Sequence, residues 1–191
     1  MKINVYDFDK TILPYDSSLA FFRFCAGKYP RAALRALPGA LTAPLIPLGL
    51  ASRTTAKERW YRYLAMIPDV ETEIALFWEE HYGNINRWYL ERRRPDDIIS
   101  SASPEFLLRI PAEELGVRLI ASRVDRYTGA YEGSNNDGAE KVRRLFLEYP
   151  DTEIGEFFSD STHDAPLARL AEKAWLVEGD TLRPWPNTDM Q

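Results

Sequence analysis

Lys2-Ile3-Asn4-Val5-Tyr6-Asp7-Phe8-Asp9-Lys10-Thr11 decides how this chain folds. Its first residues alternate in character and include the β-branched Ile3 and Val5, the pattern of a strand that opens a sheet. Such a strand delivers Asp7 and Asp9 to its C-terminal edge, where open α/β sheets place their ligands. Period two directs both carboxylates to one side. Carboxylates that close repel each other unless a cation or a shared proton lies between them. Mg²⁺, a hard cation that takes oxygen ligands, relieves that repulsion. The stretch therefore points to metal-assisted chemistry.

Outside it, the composition narrows the class. A chain of 191 residues can bury a sizeable core, and 45% hydrophobic with 28% charged residues is ordinary for a soluble globular protein. Cys25 is the single cysteine, which excludes an internal disulfide and a cysteine-based metal site and fits a reducing compartment. With only His81 and His163, a multi-histidine zinc site is not expected. Asp7 and Asp9 interrupt any apolar signal-peptide run, so the expected location is cytoplasmic. The net charge of −5 conceals an asymmetry: Tyr15 to Arg94 holds 12 Lys and Arg against 8 Asp and Glu, and the remainder 12 against 21. The basic middle suits an anionic partner. The overall acidity, with no recognisable nucleic-acid motif, argues against DNA or RNA.

The pattern along the chain is α/β, a Rossmann-like and mostly parallel sheet flanked by helices. From Asp97 onward strands alternate with helices: strands at Ile98–Ser101, Val117–Ala121, Ile154–Phe158 and Trp175–Val177, and helices at Ala139–Glu148 and Ala165–Lys173. Arg123 to Glu132, with Thr128-Gly129 at its middle, reads as a small β-hairpin. Because the opening strand must join the same sheet, residues 1–14 and 95–191 form one core domain, and residues 15–94 are an inserted helical cap. Within the cap, Ser17 or Ser18 caps a helix to Lys28. Others are expected over Thr54–Met66 and from Val70 to about Leu90, with Ile74, Phe77, Trp78 and Trp88 as the apolar stripe of the last. Residues 36–52 carry no charge and contain Pro38, Pro44 and Pro47. They are too short and too broken to span a bilayer. Two readings remain open: a buried turn between cap helices, or a loop that dips peripherally into the inner membrane surface, ringed by Lys and Arg.

Three further motifs sit at expected element ends. Ser101-Ala102-Ser103-Pro104 ends a strand and offers a hydroxyl and backbone N–H groups suited to phosphate. Lys141 opens a helix. Ser159-Asp160-Ser161-Thr162-His163-Asp164 supplies two more carboxylates at a strand end. In this order, the four motifs resemble the haloacid dehalogenase superfamily, in its phosphoserine-phosphatase-like branch with an all-helical cap after the first motif, and the resemblance covers essentially the whole chain. Ser159 departs from it, since the family usually has glycine there.

The resemblance implies a Mg²⁺-dependent phosphomonoester hydrolase. Asp7 would be the nucleophile and would form an aspartyl phosphate. Asp9 would protonate the leaving alcohol and then deprotonate water. Ser101, Ala102, Thr11 and Lys141 would serve the phosphoryl group, with Thr11 supporting the motif loop. Asp7, Asp9 (through its carbonyl), Asp160 and Asp164 would serve the metal. Asp16 reads equally as an acidic cap residue facing substrate and as the N-cap of the first cap helix. The apolar, basic-rimmed cap favours a small-molecule phosphate with an apolar tail, or a lipid phosphate. Phosphoryl transfer to an acceptor other than water, and a regulatory or binding role, are the alternatives. The oligomeric state is open.

Overall fold

A computed structural model describes residues 2–186. Its sheet runs in the order β3-β2-β1-β4-β5-β6. The strands are β1 (Lys2–Tyr6), β2 (Ile98–Pro104), β3 (Arg118–Ser122), β4 (Glu153–Ser159), β5 (Ala171–Glu178) and β6 (Thr181–Pro184). Every pairing is parallel except β5 with β6. Helices α1 (Ser17–Lys28), α2 (Pro30–Thr42), α3 (Arg53–Tyr61), α4 (Val70–His81) and α5 (Arg87–Arg92) all lie between β1 and β2. Helices α6 (Glu105–Leu115), α7 (Ala139–Glu148) and α8 (Ala165–Ala168) belong to the crossovers.

β1 is central and buried on both faces, as strands of a parallel sheet are. Ile3 and Val5 pack with Ile98, Ile120, Leu145 and Phe157 on one side. On the other side, Tyr6 stacks on Phe158 with ring centroids 4.6 Å apart. That second core continues without a break into Phe21, Phe77 and Trp78 of the cap. Cap and sheet therefore share one hydrophobic interior.

The hairpin is present: Val124 and Tyr131 form an antiparallel bridge, and Glu132 N donates to Arg123 O at 2.9 Å. The antiparallel edge strand β6 is not anticipated by the sequence reading.

Three expectations are corrected. The helix expected from Val70 to about Leu90 breaks into α4, a 3₁₀ turn at Tyr82–Asn84 and α5. Gly83 and Asn84 are poor helix formers, and the first-motif loop captures Asn86: its backbone N–H bonds Ile12 O and its Nδ2 bonds Thr11 O, both at 2.8 Å. The helix expected over Ala165–Lys173 stops at Ala168, because Ala171 and Lys173 pair with Ile154 and Glu156 of β4. Residues 36–52 are not a buried turn. They continue α2, which accommodates Pro38, into a 3₁₀ turn at Ala43–Leu45, and their leucines Leu37, Leu41, Leu48 and Leu50 are exposed.

Candidate active site

β1 ends by directing Asp7 to the sheet edge, with Asp7 N donating to Phe158 O at 2.8 Å. Lys10 adopts a left-handed φ of 55°, and the N–H groups of Ile12 and Leu13 turn back to Phe8 O at 2.9 and 3.0 Å. This tight turn places Asp9 beside Asp7. Thr11 is fully buried inside the turn, so it supports the loop and does not line the cavity. That cavity, of about 420 Å³, brings together Asp7, Asp9, Asp16, Ser101, Ala102 and Asp160 from the sequence motifs.

Asp7 is gripped from behind. Lys141, buried in the first turn of α7, donates to Asp7 Oδ1 at 2.8 Å and to Asp164 Oδ2 at 2.6 Å. Asp164 also accepts from Ser159 Oγ at 2.9 Å and from Gly138 N at 3.3 Å. It therefore stands behind Lys141, with its oxygens occupied. Gly138 has a φ of +51°, and a Cβ there would lie 3.3 Å from His163 Nε2, so glycine suits this junction. Burial opposes the Lys141 charge, but the two carboxylates outweigh it and hold the ammonium above its ordinary pKa. Burial pushes Asp7 up to about 7, with Lys141 opposing and Asp164 adding.

Asp9 is held by different partners. Its Oδ2 accepts from Ser103 Oγ at 2.5 Å and its Oδ1 from Ser17 N at 2.7 Å. Ser18 Oγ lies 2.8 Å from Ser103 Oγ and accepts from Tyr61 OH at 2.9 Å. A buried chain thus runs from Tyr61 of the cap through Ser18 and Ser103 to Asp9. Burial pushes Asp9 up to about 6, nearby Asp16 adds to the rise, and the bonds from Ser103 and Ser17 oppose it. Asp16 is the N-cap of α1, its Oδ1 accepting from Leu19 N at 2.8 Å, and it also lines the cavity.

Ser101 lies inside β2, just before the register shift that precedes Pro104, and is almost fully buried, its Oγ accepting from Ser103 N at 3.1 Å. Ala102 O accepts from Lys57 Nζ at 2.9 Å. Lys57, which sequence reasoning placed only among the basic residues flanking the apolar segment, also donates to Asn135 Oδ1 at 3.0 Å. Burial lowers its pKa while Asp9 and Asp16 oppose. Thr54, Lys57, Glu58 and Tyr61 recur at one-face helical spacing, and each meets the core. Thr54 Oγ1 accepts from Asn135 N at 3.3 Å, and Glu58 Oε1 accepts from Tyr131 N at 2.9 Å. The Tyr61 and Tyr131 ring centroids lie 6.2 Å apart. The spacing is visible in the sequence, but the surface it meets is not. Ser103, by contrast, was within reach of the period-two rule that puts it on the side of Ser101.

The family model for haloacid dehalogenase-like hydrolases matches residues 5–169. The chain belongs to this family. A Bordetella pertussis Tohama I protein of unknown function has a similar structure, with TM-score 0.74 and 23% identity over 91% of this chain and 88% of that one. A Francisella tularensis phosphoserine phosphohydrolase-like protein gives TM-score 0.58 and 16% identity over 91% and 86%. A phospho-aspartyl intermediate analogue of phosphoserine phosphatase gives 0.51 and 14% over 91% and 84%. At these identities the likeness is one of fold. No curated protein matches the chain.

Members of the haloacid dehalogenase family generally use Mg²⁺, and the residues here fit that ion. Among the described residues, no group of three or more His, Cys, Asp or Glu side chains stands close enough to hold a metal unaided. Mg²⁺ does not need one, because it keeps several waters and takes one or two carboxylates. Asp160, at the end of β4, lines the same cavity as Asp7, and burial raises its pKa while Lys10 and Lys141 oppose. Asp7 stays raised even beside Lys141. Asp7 and Asp160 therefore offer hard oxygen donors on one cavity wall.

Proposed function

We propose that this chain is a Mg²⁺-assisted phosphomonoester hydrolase that works through an aspartyl phosphate on Asp7. The observation that carries this reading is a pair of unlike carboxylates on one cavity. Asp7 is fixed by a buried ammonium, and Asp9 by a hydroxyl and an amide. Asp7 attacks phosphorus as the bond to the leaving oxygen breaks, and Asp9 gives that oxygen its proton. Water then attacks the phosphoryl group on Asp7, Asp9 takes the water's proton, and phosphate leaves. An Asp9 pushed up to about 6 suits both roles near neutral pH. Lys141 offsets the negative charge gathering at phosphorus, Asp164 positions Lys141, and Ser101 offers its hydroxyl to the phosphoryl oxygens. Asp7, Asp160 and the carbonyl of Asp9 would hold Mg²⁺, which supplies further charge neutralisation.

The leaving group we infer is apolar or lipid-like. A second cavity, of about 470 Å³, shares Arg53, Lys57, Trp60 and Ala102 with the first and is walled by Gly39, Ala40, Ala43, Ile46 and Ala56. A phosphate at Asp7 leaves its tail beside this apolar wall.

Phosphate release from phosphoserine and a series of alkyl phosphates, with Mg²⁺, tests both parts. The expected result is turnover that rises with alkyl length and vanishes in Asp7→Asn. Turnover that survives in Asp7→Asn overturns the mechanism. Preference for phosphoserine overturns the apolar leaving group and leaves the hydrolase reading standing.

A further inference from the structure

Helix α2 is inside out for a globular protein. It turns Ala32, Ala36, Gly39 and Thr42 inward, while Leu34, Leu37 and Leu41 are 67%, 51% and 75% exposed. Their spacing sets the leucines in one outward stripe. The inward side accepts only small residues, because a Cβ on Gly39 would lie 2.3 Å from the backbone of Trp60. Leu48 and Leu50, 68% and 72% exposed, extend the apolar surface past the end of the helix. Leucines exposed singly need no explanation, but a group confined to one segment marks an interaction site.

Charge says what covers it. From Ser17 to Lys57 the chain has no aspartate or glutamate. Arg31 and Arg35 share the helix with the leucines, are exposed, and enter none of the ion pairs found among the described residues. A second copy of this face would bring the same cations into opposition. An anionic surface complements them. Among the described residues no helix is long and apolar enough to cross a membrane, so contact with lipid would be peripheral.

We propose that the face built from Leu34, Leu37, Leu41, Leu48 and Leu50, with Arg31 and Arg35, docks the chain on an anionic lipid bilayer. Apolar side chains enter the headgroup boundary while the guanidinium groups meet the lipid phosphates. This docking does not depend on the hydrolase reading. If both hold, the same segment that rests on lipid walls the apolar cavity beside Asp7.

The test is sedimentation of the full chain with phosphatidylcholine vesicles and with vesicles of phosphatidylcholine and phosphatidylglycerol. Binding to the anionic vesicles is expected, weakened by salt. Arg31→Ala with Arg35→Ala is expected to weaken it about 25-fold, at roughly fivefold per arginine. Leu37→Ser with Leu41→Ser should release the chain while leaving its thermal midpoint within a few degrees, since both side chains are exposed. Equal recovery with the two vesicle types, or recovery with neither, overturns the proposal. Self-association that disappears in the leucine variant would assign the face to a second copy and overturn it equally.

Discussion

Ser103 is the residue on which Asp9 chemistry depends most closely. Its 2.5 Å hydrogen bond holds the carboxylate against burial, which alone would raise the Asp9 pKa further. Ser103→Ala leaves Ser17 N as the remaining partner seen on the Asp9 side chain. The Asp9 pKa should then rise above about 6, and the limb of the kcat profile that reports deprotonation of the general acid should move to higher pH. We expect kcat to fall about 10- to 100-fold, in the range of a misplaced general acid, with the fold intact. Asp97 gives a separate prediction, for stability. It is buried, its Oδ2 accepts from Arg94 N at 2.7 Å, and its Oδ1 has no hydrogen-bond partner. Burial pushes its pKa up to about 6. The folded state therefore favours the protonated form, so this group's contribution is greatest below about pH 4, the unfolded carboxylate range. The contribution falls as pH rises to about 6 and is constant above. Denaturant unfolding of Asp97→Asn against the native chain should show the variant gaining about 1–3 kcal/mol over that window. A difference independent of pH would refute the burial argument. What could be read at this scale was the set of motif residues: Asp7, Asp9 and Asp160 reach one cavity because each lies just beyond the C-terminal end of a parallel strand, and Ser101 joins them from the last half of β2. The bond from Ser103 to Asp9 was hidden, because it joins residues 94 apart in sequence through loops whose paths propensity does not set.

Among the elements, α2 and α3 fit by shape more than by hydrophobic bulk. Thr42 links them, its Oγ1 donating to Pro38 O at 2.6 Å and accepting from Arg59 Nη1 at 3.0 Å. Gly39→Ala would set a methyl 2.3 Å from the Trp60 backbone, which cannot move as a side-chain tip can. We expect a loss of about 1–3 kcal/mol, read as a lower thermal midpoint, although alanine is intrinsically the better helix former. A midpoint that rises would show that propensity wins over packing. Sequence reading found the helical periods and the central strand because both are local properties. It missed α2 itself, since eight of its residues are Ala, Leu or Gly on both sides and only the packing against Trp60 decides which side turns in. It overran α8 because the β4 ladder recruits residues from Ala171 onward, a long-range pairing.

For the molecule as a whole, α3 is the latch between cap and core. Thr54, Lys57, Glu58 and Tyr61 each contact the core or the chain leading to Asp9. Lys57→Met keeps the apolar stem but removes the bonds to Ala102 O and Asn135 Oδ1. Hydrogen exchange in α3 should become faster, and KM should rise about tenfold, equivalent to roughly 1.4 kcal/mol. Unchanged exchange would mean that the remaining contacts of α3 hold the cap without Lys57. Covalent hydrolysis through Asp7 is tested most directly by mixing the enzyme with Mg²⁺ and an alkyl phosphate, quenching in acid within one turnover, and locating any phosphoryl adduct by mass spectrometry. An adduct on Asp7 that is absent from Asp7→Asn is the predicted result. Phosphate release with no adduct, or with the adduct on another residue, would contradict it.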